Sequence, residues 1–428
     1  MKRRQFIQSL TAASALGVFT SRAAQAAASK SKVPVLPKVL DSGKWAPVSQ
    51  QRLQAVIDEL GSASRKYNPN KRPYAVFDWD NTSIMNDTEE ALFMYQINTL
   101  SFAMPPEVFA QAIREGVPAG NFKADFKNAD GKPVGLEAVA NDLTEDYRYL
   151  WGAYAGMKGS ASLEEVKKSE QFIDFKAKLY FLYEAINDTY GPAVGYPWVL
   201  YLFAGYSVKQ VAALAEASND VNLGDSIRKV KYTSSTTLPG QSGVLSVSHT
   251  HGLRLTPEIA NTMHVLTGAG FDIYVSTASL EDVVRVFAML PKYGYNVPPE
   301  NVLGLRLEMD GDTYQPRYRK GWPLNYGPGK TELIKRELVA KKGYGPALVF
   351  GDSDGDFDML RDFPDTRLGV LVNRLKKGNI GSLCTLGAEQ MGRADARYVL
   401  QGRDERTGQW IPEEATLKLG AADKKLLA

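Results

Sequence analysis

Short apolar runs that alternate with amphipathic segments predict an α/β protein. Three runs of strand length are each followed by polar residues or glycine: 74–77, 271–275 and 347–350. Apolar residues three or four positions apart predict helices over 49–66, 256–268, 280–289 and 330–338. Residues 301–307 lead into Asp310-Gly311-Asp312, which indicates a hairpin. Because strands alternate with helices, we expect a Rossmann-like parallel sheet.

One long segment interrupts this alternation after its first strand. From about Glu89 to Ala217 the pattern is mainly helical and rich in aromatic residues, and it is too long for a simple crossover. We interpret it as a large inserted cap. The predicted division is therefore a linker at 27–45, a core formed by 46–88 and 255–428, and a helical cap over 89–254.

The first 26 residues have the pattern of a bacterial export signal. Lys2-Arg3-Arg4 precedes a short apolar stretch, and Ala24-Gln25-Ala26 offers small residues for cleavage. The paired arginines and the weak apolar stretch favour the twin-arginine type over an ordinary Sec signal. No other stretch has the ~18 apolar residues of a membrane span. We expect a periplasmic or secreted protein that uses the twin-arginine machinery and has no span in its mature form.

Composition narrows the classes of partner. Removal of the four basic residues of the signal changes the formal net charge from +3 to −1. The charge balance therefore gives no indication of a nucleic-acid partner. Cys384 is the only cysteine, so an intramolecular disulfide is excluded. The oligomeric state is left open.

The polar residues after the first apolar run are the first candidates for chemistry. Asp78 and Asp80 stand one residue apart, and Thr82 follows. One aspartate can attack phosphorus as a nucleophile, and the other can serve as acid and then as base. Two carboxylates also favour a hard cation such as Mg²⁺. By itself, the same pattern fits a solvated turn.

The other apolar runs also end in groups that suit a phosphate. Ser276-Thr277 follows 271–275, Gly351-Asp352-Ser353-Asp354-Gly355-Asp356 follows 347–350, and Lys330 begins a helix between them. Open α/β sheets bind ligands beyond the carboxyl ends of their strands, so these groups should meet at one site. An EF-hand loop is excluded, because Phe357 and Phe363 replace its glycine and final glutamate.

In this order, the four groups resemble the motifs of the haloacid dehalogenase superfamily of phosphohydrolases. The resemblance implies that Asp78 forms an aspartyl-phosphate, while Asp80 is the acid/base and binds Mg²⁺ through its carbonyl. Ser276 and Lys330 would hold phosphoryl oxygens, and Asp352 would complete the metal site with Asp78. Two further residues would support the site: Thr82 and Asp356.

The position of the insertion is similar to that in the phosphoserine-phosphatase-like branch, whose caps (C1 type) are largely helical. Acidic residues shortly after the first motif contact a substrate cation in that branch, and Asp87, Glu89 and Glu90 occupy this stretch. Their alternative role is that of acids favoured in the first turn of a helix. Thr277 is a further candidate substrate contact. Together with residues 398–405, the pattern looks like that of bacterial periplasmic phosphocholine phosphatases.

Aromatic residues of the cap offer a second link to a quaternary ammonium group, through cation–π attraction. The candidates for a cage are Tyr147, Tyr149, Trp151, Tyr154, Tyr196, Trp198 and Tyr201. At helical spacing, most such residues belong to a core. The pair His249 and His251 has a metal-ligand spacing, but with three histidines in the chain we favour a loop or core role.

These patterns predict an exported, Mg²⁺-dependent phosphomonoesterase that acts on a small phosphorylated substrate such as phosphocholine. One alternative is a phosphoserine phosphatase, or a broad-specificity enzyme that also transfers the phosphoryl group to alcohols. A ligand-binding protein on the same scaffold is least favoured, because no motif is disrupted.

Overall fold

The first helix packs on the central sheet. This computed structural model describes residues 36–428, so the predicted signal and residues 27–35 of the predicted linker lie outside the described residues. Helix α1 spans Pro47–Leu60 and ends six residues before the predicted boundary. The last buried residue of α1 is Ile57, and Gly61 caps the helix. The chain then turns away from the helix, and the backbone N–H of Ser62 donates to the carbonyl of Ala269. Strands β1 (Tyr74–Phe77) and β2 (Ile84–Met85) come next.

Residues assigned to the linker already belong to the packed structure. Leu40 and Trp45 are buried, and the Trp45 ring meets Trp410 edge to face at 4.8 Å. The packed part of the chain thus includes residues before position 46.

The insertion contains seven helices and a hairpin. Its elements are α2 (Thr88–Thr99), α3 (Pro106–Ala112), α4 (Leu136–Ala153), α5 (Leu163–Val166), α6 (Glu170–Tyr190), α7 (Pro192–Leu200), α8 (Val208–Gly224), β3 (Arg228–Thr233) and β4 (Ser246–His251). Within residues 36–428, no helix is both long enough and apolar enough to cross a membrane.

The chain then returns to strands that alternate with helices. These elements are β5 (Arg254–Leu255), α9 (Pro257–Gly268), β6 (Asp272–Leu280), α10 (Glu281–Met289), β7 (Val302–Leu305), β8 (Leu307–Asp310), β9 (Thr313–Tyr318), α11 (Pro328–Ile334), α12 (Ala340–Lys342), β10 (Leu348–Gly351), α13 (Phe357–Arg361), β11 (Leu368–Val372), α14 (Gly378–Glu389), β12 (Tyr398–Gln401), β13 (Arg403–Asp404) and β14 (Gln409–Trp410). A π-helical segment, Lys335–Val339, joins α11 to α12.

The central sheet has six parallel strands in the order β12-β11-β10-β1-β6-β7. The predicted parallel α/β core with a mainly helical insertion is confirmed. The predicted hairpin at 301–313 is correct only in its second half. Strand β7 joins the parallel sheet, whereas the Asp310-Gly311-Asp312 turn connects β8 to β9, because Gly311 supplies the left-handed conformation (φ 60°) that this turn requires.

Alternate residues of β1 enter two separate cores, one on each face of the sheet. Ala75 and Phe77 pack in the core that contains α1 and α9, and Phe77 stacks on Phe350 with ring centroids 4.0 Å apart. Tyr74 and Val76 pack in the core that contains α11 and α14. Helices therefore cover both faces, as parallel sheets require.

A buried charge cluster ties the insertion together. The ammonium of Lys178 on α6 lies 2.9 Å from Asp142 on α4 and 2.7 Å from Asp174, and it is fully buried. Asp142 also accepts backbone hydrogen bonds from Gln241 and Ser242, which fixes the loop before β4. Loss of one partner would leave an uncompensated buried charge, so the cluster constrains how α4, α6 and this loop pack.

Leu348→Ala should lower the free energy of unfolding by about 3 kcal/mol, because it opens a cavity at a fully buried position in a central strand. Leu386→Ala on α14, where the side chain is 40% exposed, is the matched control and should cost less than about 1 kcal/mol. Urea unfolding followed by circular dichroism measures both. Equal losses would contradict the assignment of β10 to the centre of the core.

Candidate active site

The carboxyl ends of the central strands open into a cavity of about 430 Å³. Its floor contains Asp78 after β1, Asp352 after β10 and Lys330 near the start of α11. Parallel strands place these ends at one edge of the sheet, which is why residues about 250 positions apart meet. The structure thus brings together three of the four predicted motifs in one cavity.

Lys330 connects two carboxylates at the base of the cavity. Its Nζ lies 2.6 Å from Asp78 Oδ1 and 2.7 Å from Asp356 Oδ1, and it donates to the backbone carbonyl of Ser276 at 2.9 Å. Burial opposes the charge on Lys330, but Asp356 and Asp78 raise the pKa of this lysine above its ordinary value. The ammonium therefore stays protonated and can neutralise a phosphoryl oxygen.

Asp78 is crowded by negative charge despite this ion pair. Burial first, and then Asp356 and Asp352, raise the pKa of Asp78 well above its ordinary value. The ammonium of Lys330 has to serve two carboxylates, which leaves Asp78 short of positive charge. A further cation close to Asp78 would lower its pKa and keep it ionised.

The carboxylates fit a divalent cation. Oxygens of Asp78, Asp352 and Asp356 lie within 4.8 Å of one another, and Mg²⁺ prefers such hard ligands. The hydroxyl of Thr82 lies 2.7 Å from Asp78 Oδ2 and 2.9 Å from Asp352 Oδ1, yet it has one proton to donate. Two carboxylate oxygens thus converge with a single donor between them, and a cation would relieve this repulsion. Within residues 36–428, no hydrogen bond reaches the backbone carbonyl of Asp80, the other predicted metal ligand.

Asp80 lines the cavity with both carboxylate oxygens fixed. Oδ1 accepts from the backbone N–H of Thr88 at 2.7 Å, and Oδ2 accepts from the hydroxyl of Ser279 at 2.7 Å. Burial raises the pKa of Asp80 in spite of these bonds. An acid with a raised pKa can donate a proton to a leaving group near neutral pH. The sequence did not single out Ser279, which belongs to the polar segment 276–279 after the apolar run 271–275.

Ser276 lies within β6 rather than at its end, since this strand continues to Leu280. Its hydroxyl is fully buried and donates to Asn325 Oδ1 at 3.1 Å, so the hydroxyl does not line the cavity. Ser276 contributes its carbonyl to Lys330 instead. Thr277 is fully buried, and its hydroxyl accepts from the backbone N–H of Ser279 at 3.1 Å. The cavity wall next to them is formed by Ala278 and Ser279.

Arg374 is a residue of the site that sequence reasoning missed. It follows β11, and its Nη1 lies 2.6 Å from Asp352 Oδ2. Burial opposes ionisation of Asp352, but Arg374, Arg403 and the hydroxyl of Thr82 together outweigh burial and lower the pKa of this carboxyl. The available signal was the polar pair Asn373-Arg374 after the apolar run 368–372, the same pattern that marks the other strand ends.

The three acidic residues after the first motif all line the cavity. Asp87 caps α2 by accepting from the backbone N–H of Glu90 at 2.9 Å, which agrees with the helix-start alternative. Glu89 is buried and accepts from the backbone N–H of Leu280 at 3.0 Å, while its Oε1 has no partner within the described part of the chain. Burial raises the pKa of Glu89 to about 8 and also raises the pKa values of Asp87 and Glu90.

Three tyrosines line the same cavity as these acids: Tyr183, Tyr196 and Tyr326. The hydroxyl of Tyr183 lies 3.4 Å from Glu90 Oε1, and Tyr196 meets Tyr326 edge to face at 5.5 Å. Of the seven cage candidates only Tyr196 lines this cavity, and most of the others pack in or against a core, as expected for aromatic residues at helical spacing. Tyr147 and Trp198, for example, are fully buried in the core of the insertion. Helical spacing alone does not separate core aromatics from those that face a cavity.

His249 and His251 take core roles, as favoured above. Both are buried on β4; His249 Nδ1 lies 2.8 Å from the hydroxyl of Tyr180, and His251 Nε2 lies 2.6 Å from that of Tyr232. Burial lowers the pKa of His249 to about 3, so its ring is neutral.

Known proteins are similar to this chain over much of its length. No family model matches the chain. A conserved protein of unknown function from Anaerococcus prevotii DSM 20548 has the same fold, with a TM-score of 0.83 and 30% identity over 90% of this chain and all of that one. A phosphorylcholine phosphatase from Pseudomonas aeruginosa is 24% identical over 261 residues, which are 61% of this chain. The matched region spans 54% of that relative, about half its length.

The order of the motif residues along a parallel sheet agrees with the resemblance to the haloacid dehalogenase superfamily. The helical insertion follows the first motif, which is the position that the resemblance to the phosphoserine-phosphatase-like branch implies.

Glu89→Gln should remove a pH-dependent loss of stability. The folded-state pKa of Glu89, about 8, lies above its ordinary value of 4.5, so its contribution to stability is complete below pH 4.5 and is lost as pH rises towards 8. The amide mimics the protonated acid, so the variant should match the wild type at pH 5 and melt at a higher temperature at pH 9. Each unit of pKa difference corresponds to about 1.4 kcal/mol.

Thermal melts from pH 5 to 9 make this comparison, with Glu300→Gln at an exposed position as the control. If the melting temperatures of the wild type and Glu89→Gln changed with pH in the same way, ionisation of Glu89 would not destabilise the fold, and the prediction would be wrong.

Proposed function

We propose that the protein is an exported, Mg²⁺-dependent phosphomonoesterase that works through an aspartyl-phosphate on Asp78. The observation that carries the proposal is the contact of 2.6 Å between Asp78 Oδ1 and the buried ammonium of Lys330, at the floor of a cavity that Asp80 also lines. The carboxylate of Asp78, the ammonium of Lys330 and the carboxyl of Asp80, whose pKa is raised, therefore border the same cavity.

In the first half-reaction, an oxygen of Asp78 attacks phosphorus while the bond to the leaving oxygen breaks. Asp80 donates its proton to that oxygen, which leaves as the alcohol. Lys330 neutralises charge on the phosphoryl oxygens, and the transition state needs little more than alignment and such neutralisation. Asp356 holds Lys330 in place from the other side.

In the second half-reaction, water attacks the phosphorus of the aspartyl-phosphate. Asp80, now a carboxylate, takes a proton from this water, and the bond between phosphorus and Asp78 breaks. Orthophosphate is released, Asp78 is again a carboxylate and Asp80 is again an acid. Thr88 and Ser279 keep Asp80 in one orientation for both steps.

Asp78 and Asp352, with the carbonyl of Asp80, would hold Mg²⁺. When bound, the cation would neutralise phosphoryl charge and lower the pKa of Asp78. Asp352 is well prepared for this role, because Arg374 keeps it ionised.

The distal wall of the cavity favours a leaving group that carries a cation. A bound cation would lower the raised pKa values of Asp87 and Glu90, so that both could supply negative charge. The rings of Tyr183, Tyr196 and Tyr326 line the same cavity and suit a quaternary ammonium group. Phosphocholine has both features. The likeness to a protein named phosphorylcholine phosphatase supports the same substrate.

A second candidate is phosphoserine, which carries a carboxylate in addition to its ammonium. Arg374, Lys376 and Lys377 form a cationic wall in the same cavity. Neither Lys376 nor Lys377 has an ion-pair partner within residues 36–428. Lys376 and Lys377 would receive the carboxylate of phosphoserine, whereas phosphocholine offers these two lysines no carboxylate.

The pattern of residues 1–26 supports export by the twin-arginine route, with a periplasmic or secreted location. An enzyme placed there would scavenge phosphate or choline. The core of 46–88 and 255–428 would carry the reaction, and residues 89–254 would act as a cap over it.

Asp78→Asn should lower phosphate release from p-nitrophenyl phosphate and phosphocholine by more than roughly 1000-fold, since an amide is a poor nucleophile. The wild type, but not the variant, should form a labelled protein on brief exposure to ³²P-labelled substrate, and a chelator should abolish its turnover until Mg²⁺ is restored. Asp130→Asn at an exposed position is the control.

Equal turnover by Asp78→Asn would refute the mechanism, and tight binding of substrate by the wild type without turnover would favour a binding protein. Phosphoglycerol formed in the presence of glycerol would show transfer to alcohols.

Glu90→Gln should raise the KM for phosphocholine by roughly 10- to 100-fold and leave turnover of p-nitrophenyl phosphate nearly unchanged, because only phosphocholine presents a cation to this wall. Steady-state kinetics on both substrates and on phosphoserine measure this. Glu145→Gln, exposed on α4, is the matched control. An equal effect on p-nitrophenyl phosphate would place Glu90 outside substrate selection, and a lower KM for phosphoserine than for phosphocholine would favour the second candidate.

A further inference from the structure

The loop that carries Asp78 and Asp80 is held by a residue from the last part of the chain. Asn81 follows Asp80 and has a left-handed backbone, with φ at 65°. Arg403, 322 residues later, donates from Nη1 to the backbone carbonyl of Asn81 at 3.3 Å and to its Oδ1 at 3.2 Å, and from Nη2 to the same Oδ1 at 3.2 Å. Within residues 36–428, no other donor reaches Asn81 Oδ1.

Arg403 is itself fixed in place. Its residue is 3% exposed, and Nη2 lies 2.9 Å from Glu405 Oε1. Glu405 is held in turn by Lys418 at 2.9 Å, and the backbone N–H of Arg403 donates to the hydroxyl of Thr416 at 3.1 Å. A planar guanidinium with partners on two sides has little freedom to rotate.

The conformation of Asn81 determines where its neighbours point. Asp80, one residue before it, is the proposed acid, and Thr82, one residue after it, contacts both Asp78 and Asp352. A non-glycine residue with positive φ is uncommon and needs support from its surroundings. The remaining support is a backbone hydrogen bond from Asn81 to Asn86 at 3.0 Å, inside the same loop.

We propose that Arg403 is a positioning residue for the reaction at Asp78. It holds Asn81 so that the nucleophile, the acid and Thr82 keep the relative placement that the chemistry needs. Arg403 lies in a neighbouring cavity of about 330 Å³, not in the one that contains Asp78, so it acts through Asn81 and not on the substrate. The inference rests on the proposed phosphatase function.

Arg403→Ala should lower kcat by roughly 10- to 100-fold with KM within about threefold, because a small misplacement of reacting groups costs rate more than ground-state binding. Arg403→Lys, which keeps the charge and one donor direction, should recover part of the loss. Arg397→Ala, which removes a guanidinium that binds backbone carbonyls away from the site, is the matched control and should leave kcat unchanged.

Chemical rescue separates positioning from folding. Because Arg403 borders a cavity, its truncation leaves room that guanidinium ions can enter. Guanidinium chloride at low millimolar concentration should raise kcat of Arg403→Ala at least about fivefold. The same concentration of tetramethylammonium chloride should not, since it has no hydrogen to donate to Asn81.

A double-mutant cycle locates the effect at Asn81. The cycle combines Asn81→Gly, which tolerates the positive φ and removes Oδ1, with Arg403→Lys, so it remains possible if Arg403→Ala does not fold. If both substitutions act through the same contact, the loss of kcat in the double variant should be far smaller than the product of the losses in the two single variants.

The outcomes distinguish the two proposals. No phosphatase activity in the wild type would overturn the proposed function. Normal wild-type activity with kcat of Arg403→Ala within about twofold of it, or with single effects that multiply in the cycle, would overturn the role of Arg403 alone. Loss of kcat in Arg403→Ala without rescue by guanidinium would overturn the positioning role and reduce Arg403 to a structural residue.

Discussion

The buried ammonium of Lys330 is the interaction on which the site depends. It lies between Asp78 and Asp356 and also bonds the carbonyl of Ser276, so it links three chain segments at one point. Three carboxylates could not be buried so close together without it, because each would be desolvated and would repel the others. Under the proposed function, the same charge would also neutralise a phosphoryl group. Stability of the folded site and affinity for a dianionic ligand would then have a common electrostatic origin.

The parallel sheet is what makes that convergence possible. Each strand of a parallel sheet delivers its carboxyl end to the same edge, and helices on both faces return the chain to the opposite edge. Asp78, Asp352 and Arg374 consequently meet although they follow β1, β10 and β11. The long insertion departs from the same edge after β1, so its helices contribute the acidic and aromatic walls without disturbing the strand order.

Much of this could be predicted from the sequence, for identifiable reasons. Strand ends followed by Asp78 and Asp352, and a helix that begins near Lys330, are local patterns with a general consequence for parallel sheets, and the structure places these residues together. The direction of an individual side chain was not predictable. Ser276 turns its hydroxyl to Asn325 because β6 continues past it, and six of the seven cage candidates pack in a core or on the surface of the insertion. Arg403 reaches Asn81 across 322 residues, a pairing that no local pattern contains.

The cavity walls come from two kinds of element. Asp78, Asp352 and Arg374 follow strands of the central sheet, whereas Glu90, Tyr183 and Tyr196 stand on α2, α6 and α7 of the insertion. The core around these helices also contains residues of β6, α10 and β7. Under the proposed function, substitutions at these helix positions would alter the preferred leaving group without changing any residue at a strand end. An engineer could therefore exchange the substrate preference by redesigning the cavity-facing positions of the three helices alone.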